Sequence, residues 1–95
     1  MFWCKIHSEK ENLIVAICDE KLLGKKIGKK PRVTVEKEFY GGELIDDKKA
    51  VEMMEKANIC NLLGKEIIKI ALEKKFIMKE NIILIGEIPH AQFIQ

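Results

Sequence analysis

Ninety-five residues, 47% of them hydrophobic with only two prolines, make one domain with a single core and exclude a disordered chain. Seventeen basic and fifteen acidic residues give a net charge of +2, but six of the positives fall between Lys21 and Arg32 with no acid among them, so the rest of the chain sums to −4. The longest purely apolar run, Leu13 to Cys18, excludes a membrane-spanning helix, and Lys5, His7, Glu9, Lys10 and Glu11 interrupt any secretory leader. Three cysteines, Cys4, Cys18 and Cys60, form no CxxC pair and suit a reducing, cytoplasmic setting. Lysine and glutamate are abundant and glutamine occurs only at Gln92 and Gln95, a bias that fits a thermophile or AT-rich coding.

In chain order, Phe2 to His7 predicts a strand with Phe2, Cys4 and Ile6 on one face, and Trp3 on the other as a core residue. Cys4 and His7 have ligand-like spacing, yet residues three apart on a strand point to opposite faces, so neither metal nor other cofactor is expected. Asn12 to Cys18 is apolar on both faces and predicts an interior strand, joined to the first as an antiparallel hairpin. Asp19 can cap a single turn through Leu23 that stops at Gly24, after which the basic segment runs as a loop broken by Gly28 and Pro31. Arg32 to Phe39 alternates Val33, Val35 and Phe39 with Thr34, Glu36 and Glu38, which predicts a third strand with one wet face.

After the turn Tyr40-Gly41-Gly42-Glu43, Asp46 or Asp47 is a sound N-cap for a helix carrying Ala50, Val51, Met54 and Ala57 on one side. A second helix is predicted from Ile59, Leu62, Leu63, Ile67, Ile70 and Ala71, with Gly64 inside it marking a close approach. Asn81 to Ile88 reads as the last strand, stopped by Pro89. The order β-β-β-α-α-β predicts an α+β fold: a mainly antiparallel four-stranded sheet covered on one face by two helices.

Four segments of this sequence resemble one small family. They are Asp19 to Lys25 (DEKLLGK), Phe39 to Glu43 (FYGGE), Asn61 to Glu66 (NLLGKE) and Pro89 to Gln92 (PHAQ). Together they are similar to the small archaeal proteins grouped as domain of unknown function 424, over nearly the whole chain. The resemblance implies an archaeal cytosolic protein of compact α+β fold, associated with the translation machinery and without an assigned activity.

Two kinds of chemistry are open. Lys21, Lys25, Lys26, Lys29, Lys30 and Arg32 form a local positive field suited to phosphates, with Tyr40 as a stacking ring and Gly41 and Gly42 as a backbone contact. That constellation points to a binding module for structured RNA or a ribonucleoprotein. The ordinary alternative is a solvated lysine loop beside a tight strand-to-helix connection. His90 behind Pro89 offers a general acid or base with Glu43 or Asp19 as orienting carboxylate, which would make a small enzyme acting on an anionic metabolite; a plain surface histidine explains the same residue. The wide apolar stripe leaves a protein partner open as a third possibility. Of these the RNA-binding module accounts for the most residues.

Overall fold

A computed structural model describes residues 1–95. β1 (Phe2–Glu9) and β2 (Asn12–Asp19) form the expected hairpin, in register from Phe2↔Asp19 to Glu9↔Asn12, with Lys10 at φ 56° in the tight turn. The chain then makes a 3₁₀ turn over Glu20–Leu22 and a two-rung ribbon, β3 (Lys26–Ile27) with β4 (Val33–Thr34). One helical turn, α1 (Lys37–Tyr40), leads to β5 (Glu43–Ile45), which pairs antiparallel with the first half of β1. α2 (Asp47–Lys56) is capped by Asp46, whose carboxylate accepts from Lys49 N–H at 2.8 Å. Then follow β6 (Ile59–Leu63), α3 (Lys65–Glu73), a second 3₁₀ turn at Lys79–Asn81, and the hairpin of β7 (Ile83–Ile85) with β8 (Ile88–Ile94).

The main sheet has six strands in the order β5-β1-β2-β6-β8-β7, and β2–β6 is its one parallel pair. β2 is thus interior, as its two apolar faces require. The four-stranded, mainly antiparallel sheet expected from sequence is corrected to this mixed sheet plus the small β3–β4 ribbon and three helices. Several differences of element type produce this, among them β5, which forms where only a turn was expected. Ile59–Leu63 is a strand rather than the start of a helix, and the expected strand 81–88 is a hairpin that turns at Gly86 and Glu87. The expected strand 32–39 also shrinks to Val33–Thr34, because Lys37–Tyr40 turns helical.

Pro89 does not stop a strand; it lies within β8. Its carbonyl accepts from Gly64 N–H at 2.9 Å, and its absent N–H would face the Gly64 carbonyl, which already accepts from Ile68 N–H at 3.1 Å. The proline therefore sits where the ladder needs no donor.

Both faces of the sheet are covered. On one, Phe2, Cys4, Val15, Ile17, Cys60, Leu62 and Ala91 pack against Ala50, Met53 and Met54 of α2 and Ile67, Ile68 and Ala71 of α3. Burying side chains such as Met54 and Ile67 contributes roughly 2 kcal/mol each. On the other face Ala16, Cys18, Leu63 and half-buried Trp3 meet Ile27, Val35 and Tyr40. The expectation of a single covered face is corrected here: the segment between β2 and β5 is a layer of its own. No helix is long and apolar enough to cross a membrane.

Candidate nucleic-acid interface

The basic segment is shaped by its few apolar residues. Gly24, at φ 80°, reverses the chain so that its N–H donates to the Val35 carbonyl at 2.8 Å, while Val35 N–H donates to Lys25 at 2.8 Å. These bonds and the rungs Lys26↔Thr34 and Ile27↔Val33 hold a hairpin whose Ile27 and Val35 are driven into the sheet, joined by Leu22 and Leu23. Lysines between such anchors can only face outward. Lys21, Lys25, Lys26, Lys29, Lys30 and Arg32 are all exposed. Neither of the two ion pairs in the molecule engages them, since both converge on Glu52 of α2, from Lys49 at 3.4 Å and Lys56 at 3.1 Å. The result is a braced cationic face rather than a floppy loop.

The other sequence-predicted contacts are placed elsewhere. Tyr40 is 7% exposed, packed in the second-face core and edge-on to Phe39 at 4.9 Å; burial pushes its phenol up. It has no face to offer a base. Gly41 N–H donates to Lys37 at 2.7 Å and Gly42 N–H to Tyr40 at 3.0 Å, so neither is free for a ligand. A Cβ at Gly41 would lie 2.6 Å from the Lys37 carbonyl, and one at Gly42 would run into the Cys4 carbonyl. Gly42 lets the chain cross β1 closely, and Gly41 lets the α1 turn close on Lys37. The aromatic that does reach solvent here is Phe39, 36% exposed, stacked on His7 at 4.9 Å, with His7 Nε2 donating to the Phe39 carbonyl at 2.8 Å. Sequence reasoning passed over this pair, because a residue at the end of an alternating strand pattern gives no sign that a helical turn will lift it off the sheet.

The acid–base candidates do not converge. Asp19 is buried on the helix face of the sheet, where its two carboxylate oxygens accept from Glu66 N–H and Ile67 N–H, each at 2.9 Å. Burial raises its carboxyl above the usual range, and those two bonds oppose the rise. It caps α3 and makes no side-chain cap on its own 3₁₀ turn. His90 lies on β8 opposite Leu63 and Ile83, facing the opposite side of the sheet from Asp19; half-buried, it has its pKa lowered by desolvation. Glu43 is on β5, four strand spacings from β8, or about 19 Å at ~4.8 Å per strand.

No group of three or more His, Cys, Asp or Glu is placed to hold a metal. Cys4 faces the α2 side of β1, whereas His7 stacks with Phe39 on the other. All three cysteines are free and buried; burial pushes Cys4 up to about 11, and Cys18 and Cys60 up to about 12. Thiols of that kind are poor nucleophiles and poor ligands.

These features define a class: a small α+β protein whose mixed sheet carries two helices on one face and a basic hairpin on the other. The crystal structure of an uncharacterized conserved protein from Methanopyrus kandleri has this fold, with a TM-score of 0.81 over 97% of this chain and 89% of that one at 22% identity. The chain belongs to the family described as protein of unknown function (DUF424), whose model matches residues 6–95. No curated protein matches it significantly.

Proposed function

We propose that this protein is a binding module for structured RNA, working in a ribonucleoprotein of the translation apparatus in an archaeal cytoplasm. The observation that carries the reading is the braced hairpin, whose five exposed cations, with Lys21 just before it, have no acid partner. Lys25, Lys26, Lys29, Lys30 and Arg32 contact phosphates, Lys21 flanks them, and Phe39 with His7 takes the stacking role that buried Tyr40 cannot. Sequence-specific readout is not part of the proposal, since phosphate contacts position without specifying. An enzyme built on His90 has lost both of its orienting carboxylates to other places in the fold.

The test is the salt dependence of binding to a structured RNA. With about four phosphates neutralised, log affinity should fall against log salt with a slope of roughly −3 to −4, at ~−0.9 per contact on a duplex. Changing Lys25, Lys26, Lys29 and Lys30 together to Gln should flatten most of that slope while changing folding stability by no more than about 0.5 kcal/mol per exposed site. Unchanged affinity and slope in the quadruple variant would sink the proposal.

A further inference from the structure

β7 is the outermost strand of the sheet on the hairpin's side, and only its inner edge is paired. The Pro89 carbonyl is turned toward Gly64, so Leu84↔Pro89 is the rung of the β7–β8 ladder that exchanges no hydrogen bonds. The N–H and C=O of Leu84 therefore point to the open edge. Leu84 is 68% and Ile83 59% exposed. The run Ile82 to Ile85 has none of the lysines, prolines or bulges with which natural sheets guard an edge. An unguarded apolar edge is a surface meant to be covered.

A cleft of ≈ 330 Å³ runs beside it, lined by Lys29, Lys30, Val33, Leu84 and Ile85 among others. Its closed end is fixed where the hairpin meets the β7–β8 turn: a Cβ on Gly86 would lie 3.0 Å from Gly28 Cα. The only ionisable groups lining the cleft are Lys29 and Lys30, and Glu87 in the neighbouring turn is not among the lining residues. A second copy is the poorer occupant. Continuous antiparallel pairing of two β7 strands would bring two basic hairpins onto one face of the joined sheet, with no acid on either to meet them.

We propose that the free edge of β7 and this cleft form a docking site for an extended acidic segment of another protein. The segment adds as a strand, exchanging both backbone bonds with Leu84, laying alternate apolar side chains beside Leu84 on the helix face and setting the intervening carboxylates on the hairpin face against Lys29 and Lys30. The proposal does not rest on RNA binding, although Lys29 and Lys30 serve both.

A fluorescent peptide of alternating Val and Glu is the probe, with alternating Val and Lys, and an N-methylated Val–Glu peptide that cannot pair, as controls. At saturation the Val–Glu peptide should slow hydrogen exchange of the Leu84 amide by about tenfold or more, and both controls should bind at least about tenfold more weakly. Lys29→Glu with Lys30→Glu should reverse the preference between the two charged peptides. Leu84→Pro, which deletes only an outward N–H, should abolish binding; the N-methylated peptide makes the same deletion from the other side should that variant misfold. Lys21→Gln with Lys25→Gln and Lys26→Gln should weaken RNA and leave the peptide untouched, which separates failure of one reading from failure of the other. Equal binding of all peptides, an unprotected Leu84 amide, protection by RNA alone, or protection that grows with protein concentration as a dimer forms would each overturn the docking site.

Discussion

Asp19 shows how far apart in sequence a residue and its task can be. It was legible as a cap, but the N–H groups it caps lie 47 and 48 residues later, at Glu66 and Ile67 in the first turn of α3, instead of in its own turn. Nothing local in DEKLLGK says this; only folding of β2 beside β6 brings the carboxylate there. Asp19→Ala should cost about 2 kcal/mol in urea melts, because it strands two N–H groups at the start of α3, and Asp19→Asn should cost less. The pH dependence has a definite sign. Burial raises the folded pKa, so the folded state holds this proton more tightly than the unfolded chain does. Stability tied to Asp19 is then largest below its unfolded value of about 3.9 and falls as pH climbs through the folded one. Relative to the Asn variant, the parent should gain stability as pH drops through that window; a loss would mean the two cap bonds outweigh burial.

Among the misassigned elements, Ile59 to Leu63 has the plainest physical reason. A central strand buried on both faces is a continuous apolar run, and Ile59, Leu62 and Leu63 satisfy helical spacing as readily as strand spacing. Gly64 marks the join. At φ 124° it takes a conformation open to glycine, and a Cβ there would fall on the Asp19 carboxylate. Gly64→Ala should cost about 3 kcal/mol through backbone strain and that clash. Because the two residues touch, adding Asp19→Ala should cost less than the sum of the single variants by about 1 kcal/mol. Strict additivity would mean that the strain is in the backbone alone. By contrast the β1–β2 hairpin and a helix capped by Asp46 or Asp47 were readable from sequence, since turn, cap and periodicity all lie within a few residues of one another, and the structure selects Asp46.

For the molecule as a whole, the second covered face was the feature hidden from composition. A segment with six cations and two glycine turns looks like solvated loop, yet Ile27, Val35 and Tyr40 are enough to make it a layer. The candidate RNA face consequently depends on a core. Val35→Ala, buried within the hairpin's anchor, should cost about 2 kcal/mol from lost burial and the space left behind. It should also speed hydrogen exchange at Gly24 and Val35, whose amides close the hairpin, and weaken RNA binding without removing a charge. Intact affinity with a loosened hairpin would show that bracing is dispensable.

The β2–β6 seam has a consequence in time. Every pair along it joins residues 45 apart, from Ile14↔Ile59 to Cys18↔Leu63. Hairpins at either end of the sheet close locally, but the seam must wait for a long loop to be drawn in, which sets the pace of folding. During synthesis at ~5–20 residues per second the wait is roughly 2–9 s. Throughout it β2, destined to be the most buried strand, has β1 on one side and nothing on the other, so the nascent chain is at its most aggregation-prone before Leu63 has been made.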